Sequence, residues 1–416
     1  MEISISAAGA GAAKLMRLLM LHQNFPGQFR DLAPALLDRG HEIRAIACSE
    51  RSCDLRIKVR RYNHVLPERS GLHSLSLEVD DWIRRGESAA KEAEYFKKEG
   101  WAPDVILAHP GWGESQLMRD IYPTSPMLIW PELWLKPEHM GIKQGAASIE
   151  QLQYLRIKNW LLDGALADAT AAILPTIYQA NTFPQRWKQK IKVIHEGVKE
   201  ELFELPRLKR LYVSPEVIFG DDVQLITFIS RNLEPMRGFP EFMRALPTLQ
   251  GLMPNVQVVV VGGDGVSYSS APGEGGSWKE VLLKELEGRL DLNRIHFFGR
   301  VAHEELIKLY RRSDLHIYLS AAFVLSWSLT EILACGTAVL AGENPMLREL
   351  IEPGVNGALW SGSPEGLGKA IAELLTKKEL LQKWGAASRK RLMGEFHQSH
   401  CVEQLEKLLL ELAGNY

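Results

Sequence analysis

The feature that most constrains this chain is a unit that recurs along it. A short apolar run is followed by a turn rich in Gly, Pro or Asn, then by a segment with apolar residues at helical spacing. Residues 17–22 lead into the turn Asn24-Phe25-Pro26-Gly27 and a helical pattern over 31–38, which Gly40 ends. Residues 43–48, 105–108, 127–130, 171–174 and 193–194 continue the apolar series. It restarts after a polar, Pro-containing stretch over 200–222, with runs at 223–229, 256–261, 295–298, 315–319 and 337–340. Strands that alternate with helices predict an α/β fold whose mainly parallel sheets are covered on both faces.

At about 150 residues per domain, the 416 residues predict two or three domains. The restart puts a junction near 198–222. The expected organisation is a Rossmann-like N-terminal domain over 16–200 and a Rossmann-like C-terminal domain over 201–395. A final helix over 396–416 is expected to cross back to the first domain. Residues 1–15 are rich in Ala, Gly and Ser and lack the basic start and apolar core of a signal peptide, so they read as a disordered leader or tag.

Lys plus Arg number 49 and Asp plus Glu 51, a net charge of −2, which argues against a protein built to grip nucleic acid. Four cysteines cannot form a disulfide framework at this length and are expected to stay reduced in a cytoplasm. No apolar run reaches the roughly 18 residues of a membrane span. Two basic stretches are candidate contacts with an anionic acceptor or with a membrane surface, at the inner face of the plasma membrane. They are Arg51, Arg56, Lys58, Arg60 and Arg61, and Arg186, Lys188, Lys190 and Lys192 around Trp187.

The second series carries most of the chemistry. Its first strand runs into Ser230-Arg231-Asn232-Leu233-Glu234-Pro235-Met236-Arg237-Gly238. Arg231 and Arg237 flank a turn at the carboxyl end of a parallel strand, where α/β folds place ligands. Two permanently charged, planar donors there suit a diphosphate. Further on, a helix is expected to start at Ser326 or Ser328 and to stop before Gly336, its first turn offering N–H groups to an anion. Glu331 has two readings: a capping box with Ser328, or an acceptor for a ribose diol. Val261-Gly262-Gly263-Asp264-Gly265 follows a strand but does not complete G-x-G-x-x-G, because Tyr268 stands where the last Gly is required. It reads as a tight turn, and the Gly/Ser-rich residues 262–277 read as a binding loop or lid. His397, His400 and Cys401 lie on one helical stretch without a fourth partner, so no metal site is expected.

Taken together, these motifs resemble the family-4 retaining glycosyltransferases of the GT-B fold. Arg231, Arg237-Gly238, Phe298-Gly299-Arg300-Val301 and Glu331 with the following Ile-Leu-Ala-Cys-Gly carry the likeness in the second half. In the first half it is carried by His22-Gln23-Asn24-Phe25-Pro26-Gly27-Gln28-Phe29, by Ala102 to His109, and by Val193-Ile194-His195-Glu196-Gly197-Val198. The resemblance implies two Rossmann-like domains with parallel sheets facing an interdomain cleft. It implies a nucleoside-diphosphate sugar as donor, a glycan, lipid-linked or small-molecule acceptor, and no metal or other cofactor. It assigns Arg231 and Arg237 to the donor diphosphate, Glu331 to the ribose, and backbone at Arg300 and Val301 to the nucleobase. Ser326, Trp327 and Ser328 would meet phosphate at the helix start. Gly27 would let its loop approach the donor, and His109 would sit beside the transferred sugar.

One position departs from the family. Two glutamates eight positions apart are its usual pattern; here the second is Glu331 and the first position holds Phe323. An aromatic ring there has two readings: it stacks on a sugar face in place of a carboxylate, or it merely packs. The expected function is a retaining, metal-independent sugar transferase of glycan or polysaccharide biosynthesis. The alternatives are a sugar-nucleotide 2-epimerase and a non-catalytic sugar-nucleotide-binding partner subunit.

Overall fold

A computed structural model describes residues 15–143, 145–212, 218–273 and 275–414. Residues 1–14, most of the expected leader, lie outside them. Internal contacts divide the chain into two compact units. One comprises the chain up to Pro131, Trp160–Ile173 and the chain from Val402; the other comprises Glu132–Asn159 and Leu174–Cys401.

The first sheet contains β1 (Arg17–Leu21), β2 (Glu42–Ala47), β3 (Lys58–Arg61), β4 (Val105–Ala108), β5 (Met127–Ile129), β6 (Ala171–Leu174) and β7 (Ile191–Val193). Their order is β3-β2-β1-β4-β5-β6-β7. A short antiparallel pair, β8 (Leu211–Tyr212) and β9 (Ile218–Phe219), precedes the second sheet. That sheet contains β10 (Leu225–Asn232), β11 (Gln257–Gly263), β12 (Ile295–Phe297), β13 (Leu315–Tyr318), β14 (Val339–Gly342) and β15 (Ala358–Trp360), in the order β12-β11-β10-β13-β14-β15. Every pairing in the second sheet is parallel, as are those linking β3 through to β6 in the first.

Both sheets therefore reverse direction of growth beside their first strand, as doubly wound folds do. The crevices lie at the carboxyl ends of β1 and β4 in one sheet, and of β10 and β13 in the other. The continuous apolar run of β10 follows from burial on both faces. Leu225 and Ile229 join one apolar cluster, Ile226 and Phe228 the other. β11 alternates in the same way, with Val259 and Val261 in the first cluster and Val258 and Val260 in the second.

Lys58, Arg60 and Arg61 of the first basic stretch lie in strand β3 at the edge of its sheet, where charge discourages pairing with a foreign strand. Three of the stretch's five cations pair with nearby carboxylates, while Arg61 donates to the Ser49 and Arg51 carbonyls. Lys58 pairs with Glu99 at 2.7 Å, Arg60 with Glu92 at 2.6 Å, and Arg56 with Asp38 and Asp54 at 2.7 and 2.6 Å. In the second stretch, Lys188 donates to the Ala180 carbonyl at 2.6 Å, and Arg186 lies over the Trp134 ring at 5.5 Å. The four cysteines are free, with Cys335 and Cys401 buried. No described helix is long and apolar enough to cross a membrane.

Candidate functional site

In the first unit, β1 and β4 run parallel with Leu21 opposite Ala108. The next residue of each strand is a histidine, so the register itself brings His22 and His109 together. Their ring centroids are 5.1 Å apart, and Trp112 stacks on His109 at 4.3 Å. His22 Nδ1 accepts the Asn24 N–H at 3.0 Å, and His109 Nδ1 accepts the Gly111 N–H at 3.1 Å. An Nδ1 that accepts carries no hydrogen, so each neutral ring keeps its proton on Nε2. Burial, with Arg51 and repulsion from His109 whenever that ring is protonated adding to it, pulls the His22 pKa down to about 2, so this ring stays neutral. Gly27 packs directly on His22. Its φ is +47°, and a Cβ there would lie 2.3 Å from the imidazole Cε1. Only glycine lets the backbone take this turn and pass so close to the ring.

Beside His109 sits Glu114, fully buried, whose Oε1 accepts the Tyr62 hydroxyl at 2.5 Å. Burial raises the Glu114 pKa. Neither Glu114 nor Tyr62 stands out in the sequence; only the fold brings them together.

In the second unit, the turn after β10 is fixed by backbone geometry. Gly238, at φ +74°, closes it, and a Cβ there would lie 2.2 Å from Leu319 Cβ, so the turn presses on the end of β13. Two hydrogen bonds join it to its neighbours: Ala321 N–H donates to the Met236 carbonyl at 3.0 Å, and Met236 N–H donates to Ser269 Oγ at 2.9 Å. Three loops thus meet at one crevice, carrying Arg237, Tyr268 and Phe323. Arg231 stands exposed at the end of β10. The Arg237 guanidinium carbon lies 5.2 Å from the Tyr268 ring centroid, and its buried Nε has no hydrogen-bond partner among the described residues.

Phe323 packs between Tyr268, at 4.7 Å, and His139, at 6.2 Å. His139 Nε2 lies 3.1 Å from the Tyr178 hydroxyl. Burial lowers the His139 pKa and raises that of Tyr268. The position thus has an aromatic wall in place of a carboxylate.

The helix near the crevice spans Trp327–Ala334, with Ser326 as N-cap. Ser326 makes no side-chain capping bond; its Oγ lies 2.7 Å from Ser328 Oγ. The capping-box reading of Ser328 and Glu331 therefore fails, since Glu331 faces another helix and its Oε1 lies 2.9 Å from His303 Nε2. Glu331 is buried all the same. The Trp327 indole N–H donates to Glu196 Oε1. The Arg300 side chain is tied to Asn232, donating from Nη2 to its Oδ1 at 2.9 Å. Glu234, Asn232 and His303 were not singled out by sequence reasoning. The one signal of Asn232 and Glu234 is position, at or just past the carboxyl end of β10, while His303 opens the helix that follows β12.

Comparison with known proteins bears on this arrangement. Residues 39–203 match the model of the "Glycosyl transferase family 4 group", and residues 216–391 match that of "Glycosyl transferases group 1". The D-inositol 3-phosphate glycosyltransferase of Mycolicibacterium vanbaalenii is 28% identical over 179 residues, covering 42% of this chain and 38% of that protein. An uncharacterized glycosyltransferase of Methanocaldococcus jannaschii is 30% identical over 132 residues, 31% of this chain and 34% of that protein. The chain thus spans less than half the length of these curated relatives. Among solved structures, sucrose-phosphate synthase of Thermosynechococcus elongatus superposes with a TM-score of 0.73 at 16% identity, covering 96% of this chain and 100% of that one. HepE of Anabaena, solved in complex with UDP-glucose, superposes with a TM-score of 0.64 at 19% identity, covering 95% of this chain and 100% of that one. The two parallel sheets are those of the GT-B fold, and the chain belongs to the family-4, group-1 glycosyltransferases.

Proposed function

We propose that this protein moves a glycosyl group from a nucleoside-diphosphate sugar to an acceptor hydroxyl, with retention of anomeric configuration and without a metal. The observation that carries the reading is the Ala321 N–H bond to the Met236 carbonyl, 3.0 Å long. It fastens the turn bearing Arg237 to the segment that leads into the Trp327 helix. A diphosphate at this crevice would meet Arg231, Arg237 and the N–H groups of that helix start. Negative charge builds on the leaving diphosphate as the glycosidic bond breaks, so donors aimed there favour the transition state over the ground state. Two guanidinium groups and a helix start supply positive charge that metal-dependent transferases obtain from a divalent ion.

The acceptor oxygen would form its bond to the anomeric carbon on the face the diphosphate leaves, its proton passing to the departing phosphate oxygen. Glu331 would take the ribose diol, exchanging its contact with His303 for hydrogen bonds from the ligand. His109, with its proton on Nε2, would donate to a sugar or acceptor oxygen and orient it. Because HepE was solved with UDP-glucose, uridine diphosphate sugars are the first donors to test. Glycans, lipid-linked glycans and small polyols are the first acceptors.

The test is incubation with a panel of donors, with and without acceptors, followed by analysis of both nucleotide and sugar. Acceptor-dependent release of nucleoside diphosphate with an α-linked product from an α-linked donor supports the reading. An epimerised donor formed without acceptor would replace it with an epimerase, and tight donor binding without turnover would replace it with a binding subunit.

A further inference from the structure

The loop between β11 and the helix Trp278–Glu285 is too rich in Gly and Ser to order itself. Free backbone of this kind loses conformational entropy when it is fixed, so something must hold it in place. The structure contains that device. Glu234 is fully buried, and its Oε2 accepts the N–H groups of three consecutive residues: Ser267 at 3.0 Å, Tyr268 at 3.0 Å and Ser269 at 2.9 Å. Asn232 reinforces the arrangement by donating from Nδ2 to Ser267 Oγ at 2.7 Å. Three converging N–H groups make a cradle for negative charge, and bonds to an ionised acceptor are the stronger kind.

What the cradle holds is the base of Tyr268. That ring faces the Arg237 guanidinium on one side, at 5.2 Å, and packs on Phe323, at 4.7 Å. Glu234 lies only three residues before Arg237. One short turn therefore supplies both the arginine and the carboxylate that seats a ring against it. A cation over a π-face is held in direction as well as in place, which limits the rotamers open to a long side chain.

We infer that Glu234 is a positioning residue for donor binding: by clamping residues 267–269 it seats Tyr268 against Arg237 and Phe323, so that Arg237 is aimed before any ligand arrives. Residues 267–269 are then a prebuilt wall of the pocket and not a lid that orders on binding. This rests on the proposed diphosphate role of Arg237, and the experiment separates the two.

Two measurements on the full chain decide it. The first is amide hydrogen exchange without ligand. In the wild type the amides of Ser267, Tyr268 and Ser269 should be protected. In Glu234→Gln, which keeps the shape and removes the charge, they should exchange at least about tenfold faster, while the β10 and β11 amides keep their protection. The second is a double-mutant cycle in UDP affinity, measured by calorimetry. Glu234→Gln and Tyr268→Ala should each weaken UDP binding about tenfold, the double variant should be no worse than either, and Tyr268→Phe, which keeps the ring, should bind as the wild type does.

Unchanged exchange at 267–269 in Glu234→Gln overturns the clamp. Single losses that multiply in the double variant, or a Tyr268→Phe loss equal to that of Tyr268→Ala, overturn its action through the ring. If the wild type binds no nucleoside diphosphate, the functional reading fails, and the exchange measurement still decides whether Glu234 orders the wall.

Discussion

His22 and His109 lie side by side with ring centroids 5.1 Å apart, and each accepts through Nδ1 the N–H of the residue two positions further on. The pairing follows from register, because the last residues of β1 and β4 are opposite one another. It also makes the two rings depend on nearby glycines. A Cβ at Gly111 would lie 2.4 Å from His109 Cε1 and 3.0 Å from its Nδ1. Gly111→Ala should therefore turn the His109 ring away from its present direction. A displacement on the order of 1 Å in a group that orients a reactant can lower turnover about 100-fold. Steady-state kinetics alongside thermal melting would check this: turnover should fall far more than stability, and full activity would remove His109 from the orienting role.

Arg231→Ala and Arg237→Ala should each lower turnover about 100-fold, the scale of losing one donor to a developing negative charge. Arg237→Lys should recover only part of this, because an ammonium cannot present a planar fork to two oxygens. Initial rates at saturating donor would separate this loss from one in affinity.

The features of this fold legible in the sequence are those written in local periodicity. Eleven of the thirteen strands in the two sheets lie within three residues of their apolar runs, and the helix expected before Gly336 spans Trp327–Ala334. The edge strands β3 and β15 are not legible in this way: Ala358–Trp360 is only three residues long, and Lys58, Val59, Arg60 and Arg61 carry no apolar alternation. The place of β3 depends on neighbours on other segments, such as Glu92 and Glu99. The same holds for Glu331. The Ser328-x-x-Glu331 spacing favours a capping box, and the structure gives the carboxylate to His303. Spacing can be read along one segment, whereas a contact such as Glu234 with Tyr268 exists only once two distant loops have met.

Buried neutral histidines should make the fold acid-sensitive. His316 is fully buried with Nδ1 2.9 Å from Thr227 Oγ1, and burial pulls its pKa down to about 3; His22 falls to about 2. A histidine with a lowered folded-state pKa binds fewer protons folded than unfolded. Its stabilising share is complete above the unfolded pKa of about 6.5 and is lost as pH falls below it. At about pH 5.5 each such histidine removes ~1.4 kcal/mol of stability. Melting curves at about pH 7.5 and about pH 5.5 should show a smaller fall for His316→Asn than for the wild type. Equal falls would contradict the assignment.

Arg312 is a separate test of stability. Its side chain is fully buried, donating to Asp314 Oδ2 at 3.0 Å and to the Phe219, Gly220 and Val223 carbonyls at 3.3, 2.5 and 2.6 Å. Arg312→Met takes this donor from the Phe219, Gly220 and Val223 carbonyls, while Asp314 keeps Arg207 and the Leu225 N–H; leaving buried acceptors unsatisfied costs about 1–3 kcal/mol each. Denaturant unfolding should show a loss of that size, and the fraction that remains folded should bind UDP as the wild type does.

The most direct test of the account is calorimetric titration of UDP into the wild type and into Arg231→Ala/Arg237→Ala. Bonds to charged donors are worth about 1.5–3 kcal/mol each, so loss of both should weaken binding by at least about 100-fold. The wild type should show one site per chain, and the variant no measurable heat at the same concentrations. Equal affinity in the two proteins would contradict it.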